Sequence, residues 1–253
     1  MIAPSLETDP PLPPMGFIAV DCHFTRPAGD AYNERTWPFP LIREEAPGSS
    51  VPNLVTRNGY DAGFLDRFVQ TGQKLADRGA VGILTSCGFL AMAQPELAKR
   101  LPIPVATSSL IQIPSILAFL PANASIGVLT FDGAKLGPLH LSQLGMRDAD
   151  RVHIAGAPEN GNLQRLVYDD IEYSHERIEK ELVDAALDII QRHPDIRAML
   201  LECTQMAPFA GAIQQAVKLP VYDVYTMGCW FYSGLVRRRP QVWGPVGTDK
   251  TRG

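Results

Sequence analysis

A chain of 253 residues, 45% hydrophobic and 20% charged, has the make-up of an ordinary globular protein with room for one large α/β domain or two smaller ones. A formal charge of −4 gives no reason to expect nucleic acid as a partner, and the one basic cluster, Arg237-Arg238-Arg239, reads as a solvated face. No run approaches the roughly 18 apolar residues of a membrane span, and residues 1–14 lack the basic start and apolar stretch of a signal peptide, so a cytoplasmic protein is expected.

In chain order, the proline-rich residues 1–14 predict a disordered tail. "GFIAV" (16–20) reads as a first buried strand, and "DCHFTRPAGDAYNERTWPFP" (21–40) as a long loop of the kind that is more often functional than idle. Leu65, Phe68, Val69, Gly72, Leu75 and Ala76 recur at helical spacing over 60–77. "AVGIL" (80–84) predicts a strand, followed by Cys87, a helix over 90–100 and the strand "IPVAT" (103–107). "SIGVLTF" (125–131) predicts another strand. Ile171, Ile178, Leu182, Ala185 and Ile189 line a long helix, then come "AMLL" (198–201), a helix over 207–217 and "LPVYDV" (219–224). Strands that are apolar throughout and interleaved with helices imply parallel sheets buried on both faces. Ligands bind beyond the carboxyl ends of such strands, where Cys87 and Cys203 both fall.

The two cysteines also mark an internal repeat. "AVGILTSC" aligns with "IRAMLLEC", and 17 residues after each cysteine a Pro-Val dipeptide opens the next strand. "GFIAVD" lies over "GVLTFD", placing Asp21 over Asp132. The chain thus divides near residue 117 into two α/β halves, 15–117 and 118–224, with residues 225–253 expected to rejoin the first. Each half presents one thiol to the cleft between them.

"TSCGFLA" and "LECTQMAPF" resemble the two cysteine blocks of the aspartate/glutamate racemase superfamily, and "IGVLT" resembles the opening strand of its second half. The loop over 21–40 resembles that of a less characterised branch of the same superfamily. The resemblance covers nearly the whole chain after residue 15. It implies two pseudo-symmetric α/β halves, a cofactor-free active site between them, Cys87 and Cys203 as a two-base pair, and a homo-oligomer. Gly88-Phe89 stands where the better-known racemases have Asn-Thr, and Gln205 where glutamate racemases tend to have His, so classical glutamate recognition is not expected.

Inverting a carbon that bears an acidic hydrogen needs a base on one face and an acid on the other, which thiols from opposing halves supply. Helix N–H groups beyond each strand are expected to lower the thiol pKa values. A substrate carboxylate is expected to meet the N–H groups of Gly88 and Thr204 and the hydroxyls of Ser86, Thr130 and Thr204, with Asp21, Phe89 and Gln205 completing the site. No metal or cofactor motif is present. Glu202 is expected to alternate away from Cys203 in a structural role, Cys229 to be packed, Cys22 to be packed with a third cleft thiol as the alternative, and His23 to lie at the surface with an assisting role as the alternative. The expected activity is racemisation or epimerisation of a small amino acid or related carboxylate. The alternatives are a maleate isomerase-like reaction through a nucleophilic cysteine and a carboxylate-binding protein without turnover. Arylmalonate decarboxylases keep only the second cysteine, so Cys87 argues against that chemistry.

Overall fold

The computed structural model describes residues 11–146 and 149–238. Eight parallel strands form two sheets. β1 (Met15–Ala19), β2 (Leu41–Glu45), β3 (Ile83–Thr85) and β4 (Val105–Ala106) lie in the order β2-β1-β3-β4. β5 (Ser125–Thr130), β6 (Val152–Gly156), β7 (Ile196–Leu201) and β8 (Val221–Tyr222) repeat it as β6-β5-β7-β8. The repeat read from the cysteines is therefore a repeat of topology, strand for strand. Met15, Phe17 and Ile18 are fully buried in β1, as a run without polar alternation requires.

The helices are α1 (Val51–Leu54), α2 (Ala62–Asp77), α3 (Gln94–Arg100), α4 (Ile113–Phe119), α5 (Pro138–Ser142), α6 (Asn162–Asp169), α7 (His175–Arg192), α8 (Ala210–Val217) and α9 (Val224–Leu235). α2 begins where the Asp61 carboxylate accepts the Phe64 N–H at 2.8 Å, and its buried stripe carries Phe64, Phe68 and Leu75. None of these helices is long and apolar enough to cross a membrane.

Several expectations shift. The helix expected over 90–100 is two pieces, a 3₁₀ turn Gly88–Ala93 running into α3, because Pro95 favours a fresh helical start. Likewise Thr204–Phe209 is a 3₁₀ turn leading into α8. β2 and β6 were not foreseen, and the division near residue 117 falls inside α4. Residues 11–14, placed in the expected tail, instead bond the first half: the Pro13 carbonyl accepts from the Tyr232 hydroxyl at 2.6 Å and the Pro14 carbonyl from the Val81 N–H at 3.0 Å. Residues 1–10 of that tail and Arg239 of the basic cluster lie outside the described residues.

α9 packs in one apolar cluster with Met15, Phe17, Trp37 and Leu84, so the chain returns to the first half after β8. Its Asp223 cap and Thr226 bond each other's backbone N–H groups, and Thr226 Oγ1 donates to Gln112 Oε1 at 2.9 Å. A second apolar cluster is continuous through both halves. The halves are also stitched at the strand ends. Ser109 Oγ donates to the Leu201 carbonyl at 2.8 Å and Thr204 Oγ1 to the Ser86 carbonyl at 2.9 Å.

Candidate active site

The two stitched strand ends make a cavity of about 40 Å³ between the halves. Ligand pockets commonly reach roughly 300–1,000 Å³, so the cleft stands nearly closed and has to open to admit a whole substrate. Cys87 follows β3 and precedes the Gly88–Ala93 turn; Cys203 follows β7 and precedes the Thr204–Phe209 turn. Both line the cavity, as do Ser86, Gly88, Phe89, Thr204 and Gln205. Gly88 is sterically required, because a Cβ there would overlap both the carboxyl and the backbone carbonyl of Glu202.

Two expected site residues lie elsewhere. Asp21 is exposed, its carboxylate 3.3 Å from His23 Nε2. It faces solvent because Val20, Cys22, Phe24 and Arg26, at every second position, take the cavity-lining places and leave the residues between them outside. Thr130 is fully buried but spends its hydroxyl on Glu202 Oε2, 2.6 Å away, rather than lining the cavity. Cys22, expected to be packed, is half-buried and lines the cavity, while Cys229 is half-buried on α9.

The reading from sequence missed Arg26 and gave Glu202 a structural role away from the site. Arg26 comes from the long loop, which reaches over the cleft until Gly29 meets Pro208 of the second half. Gly29 has φ +101, and a Cβ there would stand 2.8 Å from Pro208 Cα. Trp37 anchors the loop, its indole N–H donating to the Ala31 carbonyl at 2.8 Å and its ring stacking on Phe39. The Arg26 guanidinium is buried, sits over the Phe24 ring at 4.2 Å, and has Nη1 3.4 Å from Asp30 Oδ1. Glu202 is 1% exposed and lines the cavity instead of turning away from it. A carboxylate at the end of an apolar strand was the available signal, since such groups are seldom buried without a reason.

Among the described residues, five buried side-chain polar atoms lack a hydrogen-bond partner. Three of them, Arg26 Nη2, Ser86 Oγ and Glu202 Oε1, belong to residues of this one cavity. Unpaired buried polar atoms are costly, about 1–3 kcal/mol each, so their convergence marks a place for a polar ligand.

The electrostatics reverse one expectation. Burial pushes the Cys87 thiol up, the Glu202 charge adds to the rise, and the Phe89 N–H and Arg26 only partly oppose it. Burial and Glu202 likewise push Cys203 well up, against the Gln205 backbone N–H. Helix N–H groups are present, but desolvation outweighs them. Cys203 Sγ donates to Gln205 Oε1 at 2.8 Å, as a protonated thiol does. Burial also pushes Glu202 up, to about 7, with Thr130 and the Phe131 N–H holding it down.

One cluster has metal-ligating chemistry among the described residues, and it is away from the cleft. His153 and His193 stack at 3.8 Å, with Asp195 Oδ2 3.3 Å from His153 Nε2, near the amino ends of β6 and β7.

No protein-family model matches the chain. A dimethylsulfoniopropionate lyase from Durusdinium sp. clade D is 26% identical over 234 residues, covering 88% of this chain and 75% of that one. Dimethylsulfoniopropionate lyase 5 of Emiliania huxleyi is also 26% identical, over 85% of this chain and 44% of its own length. Among solved structures, allantoin racemase from Pseudomonas fluorescens superposes with TM-score 0.56 at 18% identity, over 92% of this chain and all of that one. Arylmalonate decarboxylase gives 0.56 at 16%, over 88% and 92%. The fold is the two-half α/β fold of these racemases and decarboxylases.

Proposed function

We propose that the protein is a cofactor-independent enzyme that removes a proton from the carbon next to a carboxylate, with Cys87 and Cys203 as its acid–base groups. The observation that carries this is the convergence of two thiols, one from each half, on a cavity that also holds a buried guanidinium with a free N–H. Arg26 Nη2 holds the substrate carboxylate, and a charge-assisted bond of this kind is worth about 1.5–3 kcal/mol. Loss of the proton leaves negative charge on the α-carbon and carboxylate oxygens, next to the same guanidinium.

The fate of that carbanion separates two readings. If the β-carbon bears a sulfonium, the C–S bond breaks, its electron pair leaves with a neutral sulfide, and the new C=C bond gives an unsaturated acid. The sequence relatives named dimethylsulfoniopropionate lyases favour this elimination. So does the wall of Phe24, Leu54, Val55, Phe89, Phe131 and Val167. A methylated sulfonium donates no strong hydrogen bonds and is attracted to aromatic faces, whereas an ammonium needs acceptors. The second reading, racemisation, is favoured by the origin of the thiols in opposite halves, which suits return of the proton to the far face.

The test is incubation in D₂O with dimethylsulfoniopropionate and, separately, a panel of amino acids, hydantoins and 2-substituted carboxylates, read by proton NMR. Release of dimethyl sulfide with acrylate supports elimination. Deuterium entering an α position with inversion supports racemisation. Neither, with a saturable ligand shift only, leaves the carboxylate-binding reading and overturns the enzyme. The homo-oligomer implied by the resemblance has a candidate face at Phe119 and Trp230, which are 75% and 64% exposed beside a shared groove; sedimentation of a Trp230→Glu variant tests it.

A further inference from the structure

The two-thiol reading leaves a chemical difficulty that Glu202 resolves. A thiolate must form in a cleft where burial disfavours charge, beside a carboxyl that disfavours a second negative charge. The Glu202 carboxyl sits where the two halves interlock. Oε2 is held by the Thr130 hydroxyl at 2.6 Å. Oε1 is buried against Gly88, the residue after Cys87, and has no hydrogen-bond partner. The chain continues directly into Cys203. One carboxyl is thus packed against both cysteine loops with one oxygen free to carry a proton.

We propose that Glu202 is a third acid–base group of the cleft, whose free oxygen takes up the proton that a cysteine releases, so that the cleft carries one negative charge at a time. The inference rests on the two-thiol reading. The exchange is balanced: an S–H bond breaks, an O–H bond forms, and thiol plus carboxylate become thiolate plus carboxylic acid with no change in net charge. Glu202 acts through the thiols and is a positioning residue in that sense. The titratable and charged groups around it are Cys22, Cys87, Cys203 and the Arg26 guanidinium of the same cavity, with the Tyr60 hydroxyl and the Asp30 carboxyl beside them. Burial pushes Tyr60 up as well, so it stays neutral here. Arg26 leans toward Asp30. Among the cavity-lining groups, the one whose titration falls nearest neutrality is Glu202, at about 7.

Coupled groups of this kind titrate as a set, and interactions stronger than about one pK step change the neighbour's charged fraction about tenfold. That is readable without substrate. Cys87 and Cys203 are alkylated with iodoacetamide between pH 5.5 and 9.5 in the full chain, and the rate at each site is followed by peptide mass spectrometry. In the wild type, both log-rate profiles are expected to bend near pH 7, where Glu202 ionises and begins to oppose the thiolate. In Glu202→Gln the bend disappears. Rates match the wild type below pH 6 and exceed it about tenfold above pH 8. Thr130→Val, which removes the bond holding Glu202 ionised, moves the bend to higher pH and serves if Glu202→Gln does not fold. Parallel profiles for wild type and both variants overturn the inference. Because no turnover is involved, failure of every substrate panel would sink the two-thiol enzyme while leaving these profiles to be judged separately.

Discussion

The two cysteine loops occupy equivalent places in the repeat but differ in what surrounds the sulfur. Cys87 lies between Ser86 and Gly88-Phe89, is half-buried, and has an apolar ring at the second position after it. Cys203 lies between Glu202 and Thr204-Gln205, is 6% exposed, and has an amide at the second position, which accepts its S–H. The same backbone turn thus carries a comparatively free thiol in one half and a restrained thiol with an acidic neighbour in the other. Duplication explains the shared geometry. On the proposed mechanism, the divergence gives the two faces of the substrate different acid–base partners.

The largest expected effect bears directly on that difference. Replacing either cysteine by serine should lower turnover by about 10²–10⁴, the usual worth of a positioned acid or base. Equal losses in steady-state kinetics mark a two-base exchange, and a loss confined to one thiol marks a one-base elimination. Next comes Arg26→Lys, which keeps the charge but puts its donors on one nitrogen, without the planar fork that lets Nη1 face Asp30 while Nη2 faces the cavity. It should cost about 10–100-fold in kcat/KM, carried mainly by KM, with folding intact by circular dichroism.

Glu202→Gln should also change stability with a definite sign. The carboxyl titrates near 4.5 in an unfolded chain and about 7 in the fold. The unfolded chain therefore ionises first, and stability present below pH 4.5 is lost as pH rises to 7. A rise of that size corresponds to about 3 kcal/mol. Urea unfolding should show the variant matching wild type at pH 4 and exceeding it by about 3 kcal/mol at pH 8. Equal stability at both values would mean that the carboxyl is solvated and ionised normally.

The parts of the molecule legible in the sequence are those where burial is symmetric. β1, β3, β5 and, after Arg197, β7 are buried on both faces and read as mainly apolar runs, and Cys87 and Cys203 follow β3 and β7 at the same spacing. β2 ("LIREE") and β6 ("VHIAG") are edge strands with only half-buried or exposed side chains, so they carry neither an apolar run nor a clean alternation. α9 escaped because its buried face is made by a loop far away in sequence: Gly228 exists to admit Trp37. The same holds for the site. Cys87, Ser86, Gly88, Phe89, Thr204 and Gln205 are local to the strand ends and could be placed by pattern. Arg26 reaches the cavity only because Gly29 rests on Pro208, a contact that no periodicity encodes. Asp21 failed because it falls between Val20 and Cys22, which take the cavity-lining positions, and its place in the repeat does not say which side it faces.

The smallest predicted effect isolates the restraint on Cys203. Its S–H donates to Gln205 Oε1, Gln205 Nε2 donates to Thr204 Oγ1 at 2.9 Å, and Thr204 Oγ1 donates to the Ser86 carbonyl of the other half. A hydrogen bond given by the neutral thiol favours the neutral thiol, so removing the acceptor favours thiolate. With a net worth of about 1 kcal/mol, Gln205→Ala should speed alkylation of Cys203 about fivefold and leave Cys87 unchanged. Gln205→Glu should slow it, because a second carboxylate opposes the thiolate more strongly than an amide does. If both substitutions moved Cys203 in the same direction, loosened packing rather than the hydrogen bond would be responsible. The difference between the two loops would then lie in Glu202 alone.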